Sequence, residues 1–262
     1  MRISFQKEGF SEPSLKQKQV PNLFPVWSGW DLLAMLGFFP LSAFLILLLS
    51  QGVGYLLLFV FGKNCFLDQP SYHAVIQILF TSLLNGSLLL FIYFTITFKY
   101  KVPFWSSIKW RNQNKVQVNF YVVIGMLLAL VMGLLSGFIS EEENPPIAEL
   151  LKYTESAILL GVVAVLVAPF VEEVIFRGFV FPVLERRWGQ YPAIFLTALM
   201  FVSLHISQLW GSWLGIGVIF FVGLLLSIVR AKTDSLFPSF LLHLSYNTTL
   251  CLLAMVGLLV GT

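Results

Sequence analysis

WGQYPAIFLTALMFVSLHISQLWGSWLGIGVIFFVGLLLSIV, residues 188–229, contains no Asp, Glu, Lys or Arg. A helix needs roughly 20 apolar residues to cross a bilayer core, so this run holds two spans hinged at Gln208-Leu209-Trp210-Gly211-Ser212. Uncharged runs at 32–62, 69–98, 116–140, 156–171 and 235–262 lie to either side of it. Of the 262 residues, 58% are hydrophobic and 11% charged, against about 25% charged in ordinary soluble domains. Soluble, collagen-like, disordered and disulfide-scaffold classes are thereby excluded. The two cysteines, Cys65 and Cys251, read as packing residues.

The expected fold is an all-α, polytopic membrane bundle of about seven transmembrane helices, at 32–61, 74–98, 118–139, 157–183, 191–209, 213–229 and 236–259. Residues 1–29 read as a solvated cytoplasmic tail and 30–262 as the membrane domain. Thirteen of the 16 lysines and arginines fall on one side, against Lys63 and Lys152 on the other, with Arg177 inside a span. That bias sets the N-terminus in the cytoplasm and the C-terminus outside, in the cell membrane of a prokaryote. The segment 99–115, with Trp105, Ile108 and Trp110 among five cations, reads as a strip on anionic headgroups, and a nucleic-acid role is not expected. The acidic stretch Ser140–Pro146 reads as a solvated loop, and His73 as an interfacial residue.

Five ionisable side chains fall within the expected hydrocarbon: Glu172, Glu173, Arg177, His205 and His243. A charge at mid-bilayer costs about 2.5–3.5 kcal/mol on insertion scales, so such groups face protein or a water cavity and take partners. Glu173 and Arg177 are i and i+4 on one helix, a spacing that allows an ion pair. Glu172 lies about 100° around the same helix and is left to face a cavity. Phe201 and His205 share the i, i+4 spacing, as do His243 and Asn247. Counting about 1.5 Å per residue from the basic end places Glu172 roughly 16 Å deep, His205 roughly 21 Å and His243 roughly 10 Å.

One carboxylate, two imidazoles and an amide supply a general base and oxyanion donors. Hydrolysis of a peptide bond fits them: Glu172 as the base, His205 holding the water, His243 and Asn247 facing the oxyanion, with Arg177 structural and Phe201 a wall. Glu172, His205 and His243 also form a zinc donor set, although the sequence has no His-Glu-x-x-His motif. The metal-free reading, with no cofactor required, is preferred, and zinc stays as the alternative.

The motifs Glu172-Glu173-Val174-Ile175-Phe176-Arg177-Gly178, Phe201-Val202-Ser203-Leu204-His205 and His243-Leu244-Ser245-Tyr246-Asn247 resemble those of the type II CAAX prenyl endopeptidase and bacteriocin-processing proteins, the CPBP or Abi family. The lead Ser235-Leu236-Phe237-Pro238 is similar too, while Asp234 departs from the small residue or asparagine expected before it. The resemblance covers 172–247 within a motif core at 157–259. It implies an intramembrane endopeptidase in which Glu172 and His205 activate water, His243 and Asn247 form an oxyanion hole, and Glu173 and Arg177 support the site. It leaves the glutamate and metallopeptidase readings both open. The implied partners are membrane lipids and a membrane-associated substrate: a prenylated C-terminus, a peptide precursor or a membrane protein. Two other classes use the same residues: a non-catalytic scaffold or bacteriocin self-immunity protein, and a proton-coupled transporter, for which no repeat symmetry is found.

Overall fold

The computed structural model describes residues 24–61, 70–111, 114–136 and 146–260. Most of the tail, the 140–145 part of the acidic stretch, Lys63 and Cys65 lie outside them. Among the described residues every regular element is helical. Six stretches are long and apolar enough to cross a membrane: Gly29–Leu57, Ser71–Lys99, Gln117–Leu135, Thr154–Trp188, Trp213–Thr233 and Leu236–Val256. The chain is a multi-pass, all-α membrane protein, as expected. Its elements are α1 (Gly29–Phe61), α2 (Pro70–Phe94), α3 (Phe104–Ser107), α4 (Lys115–Ser136), α5 (Ile147–Leu151), α6 (Thr154–Val162), α7 (Ala168–Glu173), α8 (Phe181–Trp188), α9 (Gln190–Ser203), α10 (Trp213–Thr233) and α11 (Leu236–Val260).

The fifth expected span, 191–209, is shorter than read. Helix α9 has 14 residues, roughly 21 Å at 1.5 Å per residue, against a core of about 30 Å. It ends where His205 competes for the backbone. The His205 N–H donates to the Val202 carbonyl at 2.9 Å rather than to Phe201, and the His205 ring Nδ1 takes the Phe201 carbonyl at 2.9 Å. The turns after α9 leave His205 just beyond the helix, not on it.

The fourth expected span is one continuous rod whose register changes twice. The π-helical turns Val163–Val167 and Val174–Val180 flank α7. Each widens the helix by a residue and rotates the residues beyond it about the rod axis. Pro169 and Gly178 therefore sit at shifts of register, not at a break in the rod. The rod packs its second π-turn and α8 inside the main core, where Phe176, Phe179, Val180 and Phe181 are buried with Ile92, Ile108 and Leu236. Helices α4 and α11 meet closely at Gly125, where a Cβ would collide with the Ser245 hydroxyl and the Leu242 carbonyl.

Two surface expectations are corrected. Residues 24–28, assigned to a solvated tail, are built into the fold. Trp27 is fully buried, stacks on Phe179 with ring centroids 5.2 Å apart and donates its indole N–H to the Phe179 carbonyl at 2.8 Å. Arg186 donates to the carbonyls of Pro25 at 2.6 Å and Trp27 at 2.9 Å. The strip read as lying on headgroups docks the apolar side of its 99–111 part in the protein core. Ile108 is fully buried and Phe104 nearly so, and Trp110 packs against Phe170, Phe237 and Phe240. Three of its cations meet carboxylates, Lys99 with buried Asp31 at 2.5 Å, and Lys109 and Arg111 with Asp234. Trp105 alone of the three named apolar residues stays exposed. His73 is exposed near the start of α2, and Cys251 is half-buried on α11.

Candidate active site

The rod brings Glu172 and Glu173 side by side at the end of α7, and α11 brings His243 across to them. His243 Nδ1 lies 3.0 Å from Glu173 Oε1. That oxygen also accepts from Arg177 Nη1 at 2.9 Å, so it is a carboxylate acceptor and the imidazole Nδ1 carries the hydrogen. With Nδ1 so committed, Nε2 is turned to Glu172, 3.7 Å from its Oε2. This separation is longer than a hydrogen bond and leaves the Glu172 carboxylate unclaimed by His243. Glu173 and Arg177 are fully buried, while the Glu172 side chain is 16% exposed. The i, i+4 pair read from spacing is present.

Arg177 is held from a third element. Its Nη2 donates to the Gly223 carbonyl on α10 at 2.8 Å, and its guanidinium lies 4.6 Å over the Phe201 ring. Carboxylate, carbonyl and aromatic partners offset part of the cost of removing this charge from water, while Arg177 Nε and Glu173 Oε2 have no hydrogen-bond partner. Gly223 sits in tight packing: a Cβ would stand 3.1 Å from Phe201 Cδ1 and 3.4 Å from the Ala198 backbone.

Phe201 is the wall between the two imidazoles, 4.8 Å from the His205 ring and 5.9 Å from the His243 ring. His205 is half-buried. Its Nδ1 faces a carbonyl, which can only accept, so Nδ1 carries the hydrogen and neutral His205 has an Nε2 lone pair to offer. Asn247 lies one turn beyond His243 but serves a different neighbour: its Nδ2 donates to the Ala164 carbonyl at 2.8 Å. One of its two amide hydrogens is therefore already used.

Sequence reading missed three contributors. The Gly223 carbonyl carries no side-chain signal. Asp31, read as lying outside the first span, is only 2% exposed and accepts from Ser28, Lys99 and Tyr100. Arg230, counted among the loop cations, is fully buried, and its i, i+4 spacing to Asp234 was the available signal. Asp234, the departure from the family pattern, occupies a left-handed backbone position with φ 48 after α10 and gathers Lys109, Arg111 and Arg230. Burial on its own raises the Asp234 carboxyl, but Lys109 and Arg230 outweigh it and hold the group below its ordinary value. Just beyond Asp234, the Leu236 N–H and the Ser235 hydroxyl bind the Lys109 carbonyl.

Among the described residues no group of three or more His, Cys, Asp or Glu side chains stands where it could hold a metal. A cavity of about 560 Å³ lies elsewhere, between Phe38 of α1 and the Ser87–Lys99 stretch of α2 and its continuation.

Residues 154–249 match the family described as type II CAAX prenyl endopeptidase, Rce1-like. The matched segment contains all three motifs and every side chain of the site, so the resemblance read from those motifs is borne out over the part of the chain that carries it. Over 98 residues the chain is 34% identical to an uncharacterized 24.3 kDa protein of Escherichia coli, an alignment covering 37% of this chain and 41% of that one. The alignment thus spans less than half the length of that relative. No solved structure matches the chain.

Proposed function

We propose that the protein is an intramembrane endopeptidase that cleaves membrane-associated substrates with a water activated by Glu172. The observation that carries this reading is the pair of adjacent glutamates sharing one imidazole, with Glu173 tied to His243 and Arg177 while Glu172 is left outside that hydrogen-bonded chain. Two neighbouring carboxylates with such different partners suit different tasks, one positioning and one exchanging protons. The match of 154–249 to a peptidase family supports the same reaction class.

In the proposed cycle, water held by Glu172 and the free Nε2 of His205 attacks the scissile carbonyl. Glu172 accepts the proton lost by the water, and the carbonyl oxygen becomes an oxyanion. Protonated His243, its Nδ1–H on Glu173, donates from Nε2 to that oxyanion, and the remaining amide hydrogen of Asn247 is the second donor. Glu172 then passes its proton to the leaving nitrogen as the C–N bond breaks, which releases a carboxylic acid and an amine and restores the carboxylate. Arg177 balances Glu173 throughout. No cofactor is required in this scheme, and none of its steps runs through a metal.

The substrate proposed is a prenylated CAAX-type protein, a peptide precursor or another membrane protein, entering from lipid. The excess of lysine and arginine at one end of the spans supports a cytoplasmic N-terminus in a prokaryotic cell membrane. Glu172→Gln keeps the size and removes the base. The expected result is an enzyme that accumulates normally and no longer cleaves a farnesylated, internally quenched CAAX peptide; cleavage at the wild-type rate would overturn the proposal.

A further inference from the structure

The two π-turns create one problem twice. At the end of a π-turn the backbone N–H bonds five residues back, so the Ala168 N–H goes to the Val163 carbonyl and the Phe181 N–H to the Phe176 carbonyl. The next carbonyls, Ala164 and Arg177, have lost their α-helical donors to that shift. Their donors in the π register would be residues 169 and 182, and both are prolines, which have no N–H. Each is a backbone acceptor stranded within the bilayer, where an unmet carbonyl is costly.

Both are met by a side chain from another helix. Asn247 of α11 donates to the Ala164 carbonyl at 2.8 Å, and Arg230 of α10 donates from Nε to the Arg177 carbonyl at 3.1 Å. We propose that Arg230 is a positioning residue for the peptidase reaction: by capping the Arg177 carbonyl it holds the second π-turn in the register that keeps Arg177 on Glu173 and Glu173 on His243. This role rests on the peptidase function proposed for the site. Further observations single out Arg230. Its side chain is fully buried, its guanidinium lies 5.6 Å over the Phe181 ring, and Nη1 reaches Asp234 at 3.4 Å. Nη2 has no hydrogen-bond partner. A buried arginine with an unmet donor is a poor way to build stability alone, whereas a capped π-turn beneath the site gives it a purpose. Through Asp234, the same arginine links the docked 99–111 segment to the backbone that bears the site.

The test uses the full-length protein in detergent with the farnesylated quenched peptide, and tracks backbone amide exchange across 174–188 in parallel. Arg230→Gln should lower kcat by at least about tenfold with KM changed by less than roughly twofold, the loss expected for a hydrogen bond from a charged donor, and should raise exchange in the second π-turn. Arg230→Lys, which keeps the charge but lacks the Nε donor, should behave in the same way; it carries the test if the glutamine variant does not accumulate. Pro182→Ala restores an N–H five residues after Arg177. Alone it should be active, and in combination with Arg230→Gln it should recover both kcat and protection. Wild-type kcat and exchange in Arg230→Gln, full rescue by lysine, or no recovery with Pro182→Ala would each overturn the proposal. Absence of cleavage by the wild-type protein would remove the proposed function instead, and the exchange measurements would still decide the role of Arg230.

Discussion

His243 Nε2 stands 3.7 Å from Glu172 Oε2, and the opposite ring nitrogen is fixed on Glu173 at 3.0 Å. The imidazole is thus oriented by one glutamate toward the other, an arrangement in which the two carboxylates cannot be exchanged.

Glu173→Gln is therefore expected to differ from Glu172→Gln in kind. Removing the Glu173 charge leaves buried Arg177 without its counter-ion, a change worth about 3–5 kcal/mol for buried pairs. The expected outcome is a large drop in melting temperature for Glu173→Gln and none for Glu172→Gln, read by thermal unfolding in detergent. Equal stability of the two variants would contradict the assignment of roles.

Asn247 has two tasks to separate, capping Ala164 and donating to the oxyanion. Asn247→Ala should lose both stability and cleavage. Adding Pro169→Ala supplies the missing N–H to the Ala164 carbonyl, so stability should return while kcat stays at least about tenfold down, as for other removed oxyanion donors. Recovery of full activity in the double variant would reduce Asn247 to a backbone cap.

Asp234 links three cations and has a carboxyl held below its ordinary value. A lowered carboxyl contributes stability above its unfolded pKa and loses it as the pH falls through the folded one. The stability gap between wild type and Asp234→Asn should be constant from about pH 5 to 8 and close below about pH 4, near the ordinary range of aspartate. Thermal unfolding across that range checks it, and a gap that closes near neutrality would point to a different group.

Cleavage should survive exhaustive chelation, and zinc added back should not raise it. Loss on chelation with zinc-specific recovery would replace the glutamate scheme by one in which Glu172, His205 and His243 rearrange around a metal.

Local periodicity made much of this protein legible. The uncharged runs located the spans because a bilayer core demands a fixed length of apolar helix, and the Glu173–Arg177 pair was legible from i, i+4 geometry. Leu204 to Leu209 could not be read as turns, because the helix ends where the His205 ring Nδ1–H, not a backbone N–H, donates to the Phe201 carbonyl, a contest between two donors for one acceptor that hydropathy does not register.

What the amino-acid order determined by itself is therefore the membrane class, the spans and the short list of polar residues that needed partners inside them. Only the tertiary structure decided which partners they found: His243 between two glutamates, Asn247 on Ala164, Arg230 on Arg177, and Asp31 and Asp234 as anchors for a segment that looked like surface. The reason is that helical spacing is set by neighbours a turn away, whereas a stranded carbonyl or a buried charge is satisfied by whichever distant helix the packing brings within about 3 Å of it.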